Sequence, residues 1–467
     1  MILLLQAAPL LLLLGLLVSG RAGPLVAVLV ALAAALPAAF VSLPAGSGFA
    51  PFLAEEAARG VFLAVQPIGV VLGGLLFHAA VEGRGDATAT QAATPRAIFT
   101  ATLLMGVFME SVTGFAVGAV FALAALRGMG LRGPPAAALA LLSLCLIPWG
   151  GLGPGTALGA ALLGLPAQAI ATLTALPNAV WVLLLGPVCW RLTAAAGLVV
   201  TARERGIQMA LLATMAAILV AGHWVLPFEV LGILGAGVPL LVALWLADPP
   251  RDALAWQRAV RALWPYALLT VALLGARAVP HPPAFHPYEG LPAFPVTHVA
   301  VVLLVVAGGI LASRRNAGRR ARDALKRAMR PAAAMLLYVL FARWMAGSGA
   351  TGALASAAAG ALGGLAPFAV PVLGLAAGVV TGSNVGSNAA MMPVQQALGL
   401  AAGLPPLLAP AVHNFAGAAG AGMSFAGTAL VCGLLADGTR PAQIWRLLLP
   451  SMVAVIVLGW ATVGLLR

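Results

Sequence analysis

Glu110 lies inside one of the longest apolar runs of the chain, in Met105-Gly106-Val107-Phe108-Met109-Glu110-Ser111. A charge at the centre of a membrane span costs about 2.5–3.5 kcal/mol on insertion scales, so a carboxylate kept there is a candidate proton carrier or partner of an internal cation. The plainer role is a carboxylate that faces water or satisfies a helix N-terminus. The stretch Thr381-Gly382-Ser383-Asn384-Val385-Gly386-Ser387-Asn388 is the second candidate. Its glycines, serines and asparagines are poor helix material set between two apolar runs. In lipid an unwound segment is tolerated only where protein buries it or it lines a cavity, and half-helix N-termini there aim positive partial charge at anionic ligands.

The first region echoes the second. Val112 to Gly118 reads VTGFAVG and Val380 to Gly386 reads VTGSNVG, five of seven letters alike, one copy in each half. Thr113 and Gly114 thereby join Thr381, Gly382, Ser383, Asn384, Ser387 and Asn388 as candidate substrate contacts. His413 and Asn414 open a Gly-rich stretch, Pro410 to Gly417; the imidazole can carry a proton near neutral pH and the carboxamide can donate to a carboxylate or hydroxyl. Pro148 to Thr156, rich in glycine, is its counterpart in the first half. Arg343 could offer a carboxylate two parallel hydrogen bonds, or snorkel to an interface as an anchor. Glu110, with His413, is the candidate for proton coupling.

These residues must be positioned by membrane helices. The chain has 467 residues, of which 62% are hydrophobic and 8% charged, and its mean hydropathy is +1.06. That composition excludes a soluble protein, and long runs without alternation exclude a β-barrel. The formal charge of +13 would suggest nucleic acid in a soluble chain. Here the basic residues sit in short loops, as the positive-inside rule requires, so no nucleic-acid partner is expected. Cys145, Cys189 and Cys432 are far apart and form neither a disulfide framework nor a metal spacing. No phosphate-binding loop points to an ATP-driven pump. No metal or cofactor is expected.

The fold expected is an all-α integral membrane protein of about 13–15 spans, with inverted repeats built from broken helices or re-entrant hairpins. The run 2–19 reads as a first span rather than a signal peptide. Residues 1–58 would hold N-terminal spans. Residues 59–199 would form a first repeat with breaks near 106–118 and 146–156. Residues 200–330 would supply connecting spans and a basic cytoplasmic loop. Residues 331–467 would form a second repeat with breaks near 380–390 and 412–424. The basic stretch 313–330 sets the cytoplasmic side. Counting spans back from it makes 97–126 run out-to-in and 135–165 in-to-out, with 366–400 and 405–435 in the opposite senses. It also places the N-terminus in the cytoplasm.

Four stretches then resemble, in order and spacing, the bacterial L-lactate permease family: Gly106 to Gly118, Pro148 to Gly155, Thr381 to Met391 and His413 to Met423. The resemblance implies a proton-coupled carrier of lactate, glycolate and related 2-hydroxy acids in the bacterial cytoplasmic membrane. Glu110 matches a family Glu in a Leu-Glu-Gly-x-x-Gly-Phe-Gly pattern. Thr381 to Asn388 match Gly-Ser-Asp-x-Ser-x-Asn, so Asn388 carries over, and Asn414 matches an Asn in Ala-Asn-x-x-Gly-Gly. Two departures stand out: Asn384 replaces the usual Asp, and Gly422 stands where the family usually has Lys. One charge of each sign is missing together, which leaves neither buried alone. The partners expected are a small monocarboxylate anion, protons and membrane lipid. The alternatives are a carrier of another small organic or inorganic anion, then a channel or a membrane-embedded enzyme. The last lacks any clustered metal set or Ser/His/Asp or Cys/His arrangement.

Overall fold

The computed structural model describes residues 1–44, 46, 48–82 and 92–467. Among the described residues, ten helices are long and apolar enough to cross a membrane, and four shorter apolar helices accompany them: Ile2–Val18, Val117–Gly128, Gly133–Leu144 and Val299–Ala312. The molecule is an all-α, multi-pass membrane protein. Its strand content among these residues is one two-residue ribbon, Ala284–Phe285 paired with Phe294–Pro295.

One end of the bundle gathers the basic residues. Arg314 Nε donates to the Ala80 carbonyl at 2.8 Å and Arg320 to that of Ala79 at 2.8 Å. Arg96 pairs with Glu204 at 2.5 Å, and Arg127 donates to the Leu434 carbonyl at 2.7 Å. The Gly133 N–H donates to Asp437 at 2.8 Å. The Thr439 hydroxyl and that amide hold the Asp437 carboxyl below its usual range. At the opposite end Gln6 bonds Ser42 at 3.0 Å, and Trp460 donates to the Phe368 carbonyl at 2.8 Å.

Two of the long runs do not cross. Pro95–Thr113 rises from the basic end and reverses at Gly114, Phe115 and Ala116, all at positive φ (70°, 59° and 60°). Val117–Gly128 then descends beside it. A left-handed residue other than glycine costs roughly 1–2 kcal/mol, so this turn holds two strained positions. Glu110 offsets them. Its Oε1 accepts from the Ala116 N–H at 3.2 Å and its Oε2 from the Gly118 N–H at 3.1 Å. The arms lie close because Gly118 has no side chain: a Cβ there would stand 2.7 Å from that of Glu110.

The second run folds back in the same way from the opposite end. Ala366–Thr381 stops at Gly382, φ +69°, and Asn384–Ala401 returns. Buried Gln395 Nε2 reaches the Val370 carbonyl at 3.5 Å across the two antiparallel arms. Each hairpin is followed by a broken crossing. The first is Gly133–Leu144, an irregular turn through Gly153, then Pro154–Leu163; the second is Leu408–Gly422, a break at Met423 and Ser424, then Phe425–Leu435. Hairpin then broken crossing thus occurs twice, with opposite sense.

This arrangement corrects two expectations. Runs 97–126 and 366–400 are re-entrant, so the senses assigned to them as crossings do not hold. Removing one crossing before the basic loop also inverts the parity of the count. The N-terminus therefore lies at the end opposite the basic loops, with Gln6 against Ser42. The reversal is encoded locally, by Gly114 and by the carboxylate that bonds the turn. Apolar length alone reads such a hairpin as a span.

Candidate functional site

Four pieces of chain meet in the interior: the N-terminal turns of Asn384–Ala401 and Pro154–Leu163, the middle of Leu408–Gly422 and the first half of Ala167–Ala195. The first two run side by side. A Cβ on Gly155 would lie 2.7 Å from Asn384 Nδ2, and one on Gly159 would lie 3.3 Å from Asn388 Cβ. Glycine at both places lets the two half-helices pack together. Asn384 and Asn388, one turn apart, share a helix face. Asn384 is 5% exposed, and Asn388, Asn414, Thr156 and Thr174 are fully buried.

Asn414 ties the halves together. Its Oδ1 accepts from Asn388 Nδ2 at 2.8 Å and Asn384 Nδ2 at 3.1 Å. Its Nδ2 donates to Thr156 Oγ1 at 3.0 Å and Thr174 Oγ1 at 3.1 Å. Backbone carbonyls fix the polarity of this network. Thr156 donates its proton to the Pro148 carbonyl at 2.7 Å and Thr174 to that of Ile170 at 2.8 Å. Both hydroxyl oxygens must then accept, which turns Asn414 Nδ2 toward them. From the other side, Asn388 Nδ2 also donates to the Gly155 carbonyl at 2.9 Å, so Asn388 cannot be flipped without setting oxygen against oxygen. Two buried acceptors are left over: Asn384 Oδ1 and Asn388 Oδ1 have no hydrogen-bond partner.

Of the other sequence candidates, Ser387 and His413 adjoin the cluster. His413 Nε2 lies 3.3 Å from both the Oγ and the carbonyl of Ser387, and its Nδ1 has no partner. Thr381 donates to the Ala377 carbonyl at 2.7 Å, and Gly382 and Ser383 form the hairpin tip. Thr113 and Gly114 are elsewhere. Thr113 donates within its own helix, to the Met109 carbonyl at 2.6 Å. Gly114 meets the first broken crossing, where a Cβ would lie 3.2 Å from Gly151 Cα. Glu110 sits beside that same break, both oxygens committed to the backbone of its own turn.

Arg343 is not brought to the cluster. It pairs with Glu56 at 2.6 Å, with side chains 15% and 11% exposed. Sequence reasoning passed over Glu56, and also Glu229, which is 7% exposed and pairs with Arg277. Both acids sit near the ends of apolar runs, and only the fold shows the arginine facing each. Thr174 was missed as well, being one threonine in an apolar helix. Breaking a buried pair from one side costs about 3–5 kcal/mol, while replacing both partners by apolar groups is often neutral. Glu56→Gln alone is therefore expected to lower the melting temperature in detergent clearly, and Glu56→Gln with Arg343→Met to recover most of it. Substantial uptake by the double variant would separate Arg343 from substrate binding.

Residues 276–465 match the family model described as L-lactate permease. This stretch contains the second hairpin, Asn414 and the second broken crossing, and the match bears out the resemblance for the two motif stretches it covers, Thr381 to Met391 and His413 to Met423. Among solved structures, MtrF of Neisseria gonorrhoeae, reported as illuminating a class of antimetabolite efflux pumps, is 15% identical. That alignment covers 95% of this chain and 94% of that one, with a TM-score of 0.46. The YdaH transporter of Alcanivorax borkumensis, reported to have an unusual topology, is 17% identical over 88% of this chain and 97% of that one, with a TM-score of 0.36. No curated protein matches the chain. The match, together with ten helices long and apolar enough to cross a membrane, supports a membrane transporter rather than an enzyme.

Proposed function

We propose that this protein is a secondary active transporter that imports L-lactate or a related 2-hydroxy monocarboxylate, such as glycolate, together with protons across the bacterial cytoplasmic membrane. The observation that carries the reading is the meeting of two half-helix N-termini, at Pro154 and Asn384, around Asn414. Backbone N–H groups at such N-termini favour the oxygens of a carboxyl group. The carboxamides of Asn384, Asn388 and Asn414, with Ser383 and Ser387, supply hydrogen bonds to the carboxyl and hydroxyl groups. The cluster draws on both halves, so displacement of one half against the other would open it to either side. The basic end is cytoplasmic in this reading, which puts the N-terminus outside. Glu110 holds the first hairpin tip in shape, and His413 fixes the second through Ser387.

Uptake of labelled L-lactate into proteoliposomes, with and without an inward proton gradient, tests the proposal. Saturable, gradient-driven uptake, competed by unlabelled glycolate, is the expected result. No uptake by folded protein, with transport of an inorganic anion instead, would contradict it.

A further inference from the structure

The two surplus acceptors restrict the form in which the substrate binds. Asn384 Oδ1 and Asn388 Oδ1 are buried and unpartnered, and the network that fixes their orientation starts at the carbonyls of Pro148, Ile170 and Gly155. A carboxylate offers only acceptors. Placed here, it would meet two lone-pair oxygens and, among the described residues, find no cationic side chain: Arg343 is engaged by Glu56, and Gly422 replaces the lysine that the resemblance implies. The side chains of the cluster are all uncharged: three asparagines, two threonines and a serine. The titratable groups nearest it are His413, bonded to Ser387, and Tyr338, whose ring a Cβ on Gly386 would meet at 3.4 Å; Glu229, paired with Arg277, and His298 line a cavity against Pro154, Ala157, Leu158 and Ala161 of the adjoining half-helix. Glu110 lies beyond the first break, held by its own turn.

An undissociated 2-hydroxy acid carries two O–H donors, one on the carboxyl and one on the α-carbon, and one carbonyl acceptor. Two donors match two orphaned acceptors, and the carbonyl oxygen can take the N–H groups of the adjoining half-helix N-termini. We propose that the site binds the neutral acid, so that the coupled proton travels on the substrate carboxyl rather than on a side chain. The acid enters with its O–H intact, crosses, and ionises to the anion and one proton on release. Net charge moved is zero. This rests on the 2-hydroxy acid reading above.

A 2-hydroxy acid ionises about as readily as an aspartic side chain, so only about one molecule in a thousand is undissociated at pH 7. The apparent KM for total L-lactate should therefore rise about tenfold per pH unit between pH 5.5 and 7.5. Expressed as undissociated acid it should stay constant. At one pH, 3,3,3-trifluorolactate, a stronger acid, should bind more weakly by the ratio of the two acid fractions. Both proportionalities should persist in Glu110→Gln at whatever rate remains. Proteoliposome uptake of both compounds over that range, at fixed membrane potential and without Na+, reads this directly. A KM that follows total anion, equal affinity for the two acids, loss of the proportionality in Glu110→Gln, or a requirement for Na+ would overturn the inference and leave the transporter reading standing. Failure of every 2-hydroxy acid to be taken up would overturn both.

Discussion

Asn414→Asp is expected to reduce L-lactate uptake at least about 30-fold while leaving the protein folded. The substitution is isosteric, but it puts an oxygen where Nδ2 now faces Thr156 and Thr174 at 3.0 and 3.1 Å. Those hydroxyls have already given their protons to the carbonyls of Pro148 and Ile170. Two hydrogen bonds become two oppositions of acceptors. Leaving a buried acceptor unsatisfied costs about 1–3 kcal/mol, so the pair is worth one to several factors of ten in site occupancy. A protonated aspartate could restore only one bond. Size-exclusion behaviour in detergent and proteoliposome uptake check the outcome together. Near-normal uptake by a folded Asn414→Asp protein would show that the cluster is packing rather than a binding site.

The second large effect is expected at Glu110, where stability and transport should separate by substitution. Glu110→Ala removes two charge-assisted bonds to Ala116 and Gly118, each worth about 1.5–3 kcal/mol. It also leaves Phe115 and Ala116 in left-handed conformations without the carboxylate that braces their turn. Little folded protein is expected, measured by thermal unfolding in detergent. Glu110→Gln can accept one N–H but sets an NH2 group against the other. It is expected to fold, with the maximal rate reduced about tenfold through the misplaced tip. A wild-type melting temperature in Glu110→Ala would contradict the bracing role.

Much of this was legible in the sequence because the functional pieces violate helical propensity. Glycines, serines and asparagines in apolar runs marked both hairpin tips and both broken crossings, and the VTG echo marked their kinship. Asn388 and Asn414 could be singled out because a carboxamide in lipid must find a partner. The path of the chain was not legible. A re-entrant arm and a spanning helix share the same apolar composition, and the reversal at Gly114 depends on a carboxylate four residues back. Arg343 shows the same limit from the side of charge. A lone arginine in a run reads as free, and its partner Glu56 lies nearly three hundred residues away in sequence. Thr174 became part of the cluster only when Ala167–Ala195 was packed against Asn414.

The central claim is that substrate binds where Asn384, Asn388 and Asn414 meet the N-terminal turn of Pro154–Leu163. An experimental structure at saturating L-lactate tests it most directly. Ligand density is expected within hydrogen-bond reach of Asn384 Oδ1 and Asn388 Oδ1. Density elsewhere, with those two oxygens still unpartnered, would contradict it.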